Sequence, residues 1–77
     1  MKVRVLVFGP IAEALGAKQH DIELPESSSA CFLIEELRQE HWLNRGLIIS
    51  VNGHIVNADE PLAEGDEIAL LPPVSGG

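Results

Sequence analysis

The stretch Glu67-Ile68-Ala69-Leu70-Leu71-Pro72-Pro73-Val74-Ser75-Gly76-Gly77 reads as a strand that runs into a tail. Ile68 and Leu70 alternate with their neighbours, as inward residues of a strand do. Pro72 and Pro73 donate no ladder hydrogen bond, so the strand must stop at Leu71. Pro73 also biases Pro72 toward an extended conformation. Gly76 and Gly77 make the slimmest possible tip. The chain therefore divides into a domain over 1–71 and an extended tail over 72–77, which reaches about 20 Å at ~3.3 Å per residue.

Upstream of this strand, Asn52-Gly53 is a strong hairpin signal, because a type I′ turn requires positive φ at both central residues. It joins an aliphatic strand over Leu47–Val51 to a short return over His54–Val56. A turn-rich connection, Asn57–Gly65, carries Pro61 and one expected buried anchor, Leu62. Before the hairpin, the spacing predicts one long helix from Ala30 to Trp42. Ala30, Leu33, Ile34, Leu37 and His41 share its apolar stripe, and Glu35, Glu36, Arg38, Gln39 and Glu40 lie elsewhere. Ser27, Ser28 and Ser29 offer N-cap hydroxyls. Phe32 falls off the stripe and reads as an isolated surface apolar residue.

At the N-terminus, Lys2–Phe8 alternates Val3, Val5 and Val7 with Arg4, Leu6 and Phe8. Both faces carry apolar groups, so this strand is central. Leu6 and Phe8 form either a rim of the core or a patch for a partner. Gly9-Pro10 ends the strand and opens a short helix, Ile11–Leu15, with Ile11, Ala14 and Leu15 inward and Gly16 at its end. His20–Leu24 follows as a second strand, with Ile22 and Leu24 inward. Two hairpins thus flank one main helix. The expected class is α+β: a mixed sheet of four to five strands covering the helix on one face, with the first and last strands parallel neighbours. That order is the β-grasp, the architecture of ubiquitin.

Net charge is −7, and no Lys or Arg follows Arg45. This balance excludes a nucleic-acid backbone and an anionic membrane as partners, since both require clustered basic residues. A basic protein surface is the natural complement. The single cysteine, Cys31, excludes an internal disulfide framework and fits a reducing compartment. The N-terminus shows no signal pattern, and no apolar run is long enough to span a bilayer; the expected location is the cytoplasm.

Conventional catalytic constellations are missing from the pattern. His20, His41 and His54 lack metal-ligand spacing, so no metal site is expected. Cys31 lies near a helix N-terminus, where a thiol pKa can fall, but a small helix residue is the simpler reading. One reactive group remains, the carboxylate of Gly77. An ATP-using partner can convert it to an acyl-adenylate, which a sulfur nucleophile can then capture. A glycine suits this chemistry because no side chain crowds the acyl carbon.

The segments Val51-Asn52-Gly53, Asp59-Glu60-Pro61-Leu62 and Gly65 through Gly77 resemble the molybdopterin synthase small subunit family of ubiquitin-like sulfur carriers. Val5-Leu6-Val7-Phe8-Gly9 with Ala12-Glu13-Ala14-Leu15-Gly16 is similar to that family's first strand and short helix. Gly9 stands where the family usually has Ala, and Leu70-Leu71 where an aromatic often precedes the prolines. The resemblance implies a sulfur carrier that binds no cofactor of its own and is not itself an enzyme. An E1-like enzyme would spend ATP to adenylate Gly77, and a sulfur-donating protein would convert the adenylate to a thiocarboxylate. The tail would then deliver sulfur to cyclic pyranopterin monophosphate in the large subunit, within a heterotetramer of two small and two large subunits. Gly76 and Ser75 would give the tip clearance. Leu6, Phe8, Leu71, Pro72, Pro73 and Val74 would meet the partners. A sulfur carrier for thiazole (thiamine) synthesis and a ubiquitin-like protein modifier remain as alternatives.

Overall fold

In the computed structural model, residues 1–73 are described; Val74, Ser75, Gly76 and Gly77 lie outside the described residues. Five strands form one mixed sheet: β1 (Lys2–Val7), β2 (Gln19–Glu23), β3 (Ile48–Val51), β4 (His54–Val56) and β5 (Glu67–Leu71). Their spatial order is β2-β1-β5-β3-β4. β1 and β5 run parallel, with Val5 opposite Ile68 and Val7 opposite Leu70. The other neighbours are antiparallel. The chain is thus a ubiquitin-like α+β fold of the kind its element order implied, with the first and last strands at the centre.

Local chemistry explains the connections. Asn52 at φ 51° and Gly53 at φ 85° supply the two positive φ values of a type I′ turn. Phe8 is extended and caps α1 (Gly9–Leu15), so β1 stops at Val7, one residue earlier than its alternation suggests. Gly16 closes α1 at φ 83° with its N–H on Ala12 O.

One face of the sheet builds the core. Val3, Val5 and Val7 of β1, Ile68 and Leu70 of β5, and Ile49 and Val51 of β3 are buried against Ile11, Ala30, Leu33 and Ile34 of the helices. Each fully buried aliphatic side chain of this kind contributes about 1.5–3 kcal/mol. Leu62 is buried as expected, and its N–H donates to Ser28 O, which ties the long connection to the start of the main helix. Ala14 is exposed; Ala12 packs toward the core in its place.

The main helix is the largest departure from expectation. α2 covers only Ala30–Glu36, capped by Ser29, whose Oγ accepts from Phe32 N at 3.1 Å. The helix ends because Arg38 turns to φ 61°. Arg38 N then donates to Glu35 O at 3.0 Å and Gln39 N to Ile34 O at 3.1 Å. This is the bonding of a Schellman motif, with arginine at the position that glycine usually holds. A 3-10 helix, Glu40–Arg45, follows. His41 is therefore exposed rather than on a buried stripe, and Gln39, expected on the polar side, is buried.

Candidate functional site at the root of the tail

The second face of the sheet is open, and the strand register divides it by polarity. Ala69 of β5 lies between Leu6 of β1 and Ser50 of β3, and Ser50 faces Ile55 of β4. One step toward the end of β5, Leu71 pairs with Ile48. Phe8, Leu71 and Ile48 are 41%, 37% and 45% exposed, and Ile55 is 78% exposed. These side chains make an apolar surface where the tail leaves the sheet. A concentration of large exposed apolar groups on one face is a mark of protein–protein contact.

At the opposite end the same face is charged. Arg4 stands between Asp21 and Glu67, with N···O distances of 3.9 Å to each. These pairs are half-exposed and long, so they contribute little to stability. A shallow cavity of about 400 Å³ runs along Lys2, Arg4, Asp21, Glu64 and Glu67. Glu64 is fixed there by accepting from Lys2 N at 2.9 Å.

A groove of about 490 Å³ lies at the root of the tail. Phe8, Gly9 and Pro10 line one side and Trp42 another, with Leu71, Pro72 and Pro73 completing it. Gly9 has φ +56°, and a Cβ there would stand 3.6 Å from Pro72 Cγ. Gly46, at φ +85°, would place a Cβ 3.8 Å from Pro73 Cβ. Trp42 is oriented by its indole Nε1–H, which donates to Oε1 of buried Gln39 at 3.0 Å.

Of the residues expected to meet partners, Phe8, Leu71, Pro72 and Pro73 converge on this groove, while Leu6 is half-buried on the adjoining sheet face. Val74, Ser75, Gly76 and Gly77, which carry the tip and the proposed chemistry, lie outside the described residues. Trp42, Ile48 and Ile55 belong to the surface but escaped the reading of the sequence. Alternation could have found Ile48, since inward Ile49 and Val51 force it outward. Ile55 follows from its pairing with Ser50. Trp42 gave no such signal, because a continuous helix would carry it elsewhere.

The remaining candidates do not form a site. The Cys31 thiol pKa is raised, first by burial and then by the Glu35 carboxylate beside it, with a smaller effect from Glu40. Proximity to a helix N-terminus does not activate this thiol: Cys31 Sγ faces Glu35 Oε2 at 3.8 Å. His41 and His54 are exposed, and His20 bonds Ala17 O through Nε2. No group of three or more His, Cys, Asp or Glu that could hold a metal ion occurs among the described residues. Nor is any described helix long and apolar enough to cross a membrane.

Comparison with known proteins gives a consistent result. The model of the ThiS family matches residues 5–77. The molybdopterin synthase sulfur carrier subunit of Escherichia coli (strain K12) is 34% identical, over 97% of this chain and 99% of the relative. SAMP1 from Haloferax volcanii superposes with a TM-score of 0.82 at 25% identity, covering 100% of both chains. A chain from the complex of subunits 1 and 2 of molybdopterin-converting factor from Helicobacter pylori 26695 gives a TM-score of 0.64 at 32% identity, again over 100% of both chains.

Proposed function

Because the chain belongs to the ThiS family, we propose that it is the sulfur carrier subunit of a molybdopterin synthase, with Gly77 as the carrier group. The observation that carries this reading is similarity along essentially the whole chain to a molybdopterin synthase sulfur carrier subunit. The apolar surface around Phe8 and Leu71 supports it, since it lies at the root of the tail.

The chemistry is confined to the C-terminus. A carboxylate oxygen of Gly77 attacks the α-phosphorus of ATP on an E1-like enzyme, and pyrophosphate leaves. Hydrosulfide released by a sulfur-donating protein attacks the acyl carbon, AMP leaves, and loss of the proton from sulfur yields the thiocarboxylate. Inside the large subunit the thiocarboxylate sulfur bonds to cyclic pyranopterin monophosphate, and water then cleaves the acyl carbon–sulfur bond and restores the Gly77 carboxylate. This chain contributes no acid, base or cofactor; ATP is consumed by the activating partner. Gly76 and Ser75 let the tip enter a narrow active site, while Leu6, Phe8, Leu71, Pro72, Pro73 and Val74 dock on the partner. The small and large subunits assemble as a heterotetramer, in the cytoplasm.

Intact-mass spectrometry tests the reading. Incubation with ATP, the activating enzyme and a sulfur source should add the mass of one sulfur-for-oxygen exchange. An unchanged mass beside a competent activator would rule out the carrier role. Capture of a thiazole synthase in place of a pterin-handling large subunit would redirect it to thiamine synthesis. Likeness to SAMP1 favours a second reading, as a modifier of other proteins. It predicts isopeptide ladders on denaturing gels that vanish when Gly77 is deleted.

A further inference from the structure

We propose that Gln39 and Trp42 are positioning residues for the C-terminal tail, an inference that rests on the tail being the working part of the molecule. The break in the main helix creates the arrangement. Arg38 at φ 61° ends α2 and turns Gln39 inward, where it is 7% exposed. A buried amide must find a partner, and its Oε1 takes the indole N–H of Trp42 at 3.0 Å. Its own amide nitrogen reaches Leu37 O only at 3.5 Å, so the bond to Trp42 is its principal one.

The indole so held lines the groove from which Pro72 and Pro73 emerge. The two prolines run past two glycines in left-handed conformation, Gly9 beside Pro72 and Gly46 beside Pro73. Three segments distant in sequence thus meet at the root of the tail: the turn after β1, the 3-10 helix with Gly46, and the end of β5. Proline φ is nearly fixed, so Pro72 and Pro73 keep little conformational freedom once their rings are seated in this groove. Trp42 sets one wall of that exit, and Gln39 sets Trp42. With Pro72 and Pro73 already placed, less conformational freedom is lost when an enzyme takes up this end of the chain.

Trp42 is the single tryptophan and the chain contains no tyrosine, so its fluorescence is directly readable. In the full-length protein, Gln39→Met keeps the side-chain volume and removes the acceptor. The variant should make Trp42 more accessible to acrylamide quenching. It should also raise KM about threefold to tenfold in ATP–pyrophosphate exchange by the activating enzyme, the scale of one hydrogen bond, with kcat unchanged. A lower unfolding midpoint with unchanged KM would reduce Gln39 to a structural role and overturn the proposal. Trp42→Leu combined with Pro73→Ala gives a second test: their effects on KM should be coupled, and additive effects would overturn it. If the unmodified protein supports no exchange, the carrier reading itself fails. Quenching of Trp42 in a Pro72→Ala, Pro73→Ala variant then decides alone: increased quenching sustains the juxtaposition, unchanged quenching ends it.

Discussion

Asn52 and Asp66 join two turns across the sheet: Asn52 Nδ2 donates to Asp66 Oδ1 at 3.0 Å. Asn52 Oδ1 in turn accepts from Glu67 N at 3.0 Å, and Asp66 Oδ2 accepts from Ala63 N at 2.8 Å. The β3–β4 hairpin and the turn leading into β5 are thereby held in one register. Asn52 does this at φ 51°, which asparagine tolerates better than most residues. Asn52→Ala should cost about 2–3 kcal/mol, from two lost hydrogen bonds and a strained backbone. Asn52→Gly keeps the turn and should cost about 1–2 kcal/mol. Urea unfolding of both variants measures the difference; equal losses would show that the backbone conformation contributes nothing.

Arg38 makes the opposite prediction. It is exposed and holds the left-handed position of a Schellman motif at φ 61°. Glycine adopts that conformation without a Cβ penalty. Arg38→Gly should therefore stabilise the domain by about 0.5–1 kcal/mol, read as a higher urea midpoint with an unchanged m-value. A loss of stability would mean that the arginine side chain makes a contribution the backbone geometry does not reveal.

The Cys31 thiol should react slowly at neutral pH. Burial and the adjacent Glu35 carboxylate raise its pKa, so at any pH below that value the thiolate fraction is smaller than in a free cysteine. Alkylation by iodoacetamide should accelerate as pH rises, with a midpoint displaced to higher pH than for a free thiol. Glu35→Gln removes the second-largest cause and should move the midpoint back down. A profile identical to that of a small-molecule thiol would contradict the assigned environment.

Phe8 and Phe32 are both exposed, but on opposite sides of the sheet. Phe8 stands at the groove, whereas Phe32 lies on α2 behind the core face. Phe8→Ser should weaken binding to the molybdopterin synthase large subunit at least tenfold, as loss of an aromatic anchor does, about 1.4 kcal/mol or more. Phe32→Ser should leave that affinity unchanged. Isothermal titration with purified large subunit distinguishes them, and equal effects would remove the groove from the interface.

The readable and unreadable parts of this chain divide by the range of the forces involved. Alternation along Val3, Val5 and Val7 and along Ile68 and Leu70 declares which face is buried, because period two is a property of any single strand. Asn52-Gly53 declares its turn by backbone sterics alone. The end of the main helix is different. Leu37 and His41 continue the apolar spacing past the true end at Glu36, and arginine at position 38 carries no stop signal. The left-handed Arg38, its Schellman hydrogen bonds and the burial of Gln39 against Trp42 distinguish the broken helix from a continuous one, and all of them appear only in the folded chain.

From the amino-acid order alone come the β-grasp arrangement, the prolines that end the last strand and the acidic balance. Each depends on local conformational preference or on composition. The tertiary structure alone decided that Phe8, Trp42, Leu71, Pro72 and Pro73 share one groove, and that Ile48 and Ile55 extend the apolar face beside it. Those residues come from separate segments and carry no common pattern. Their meeting depends on sheet order, on strand register and on one left-handed arginine, which exist only once the whole core has packed.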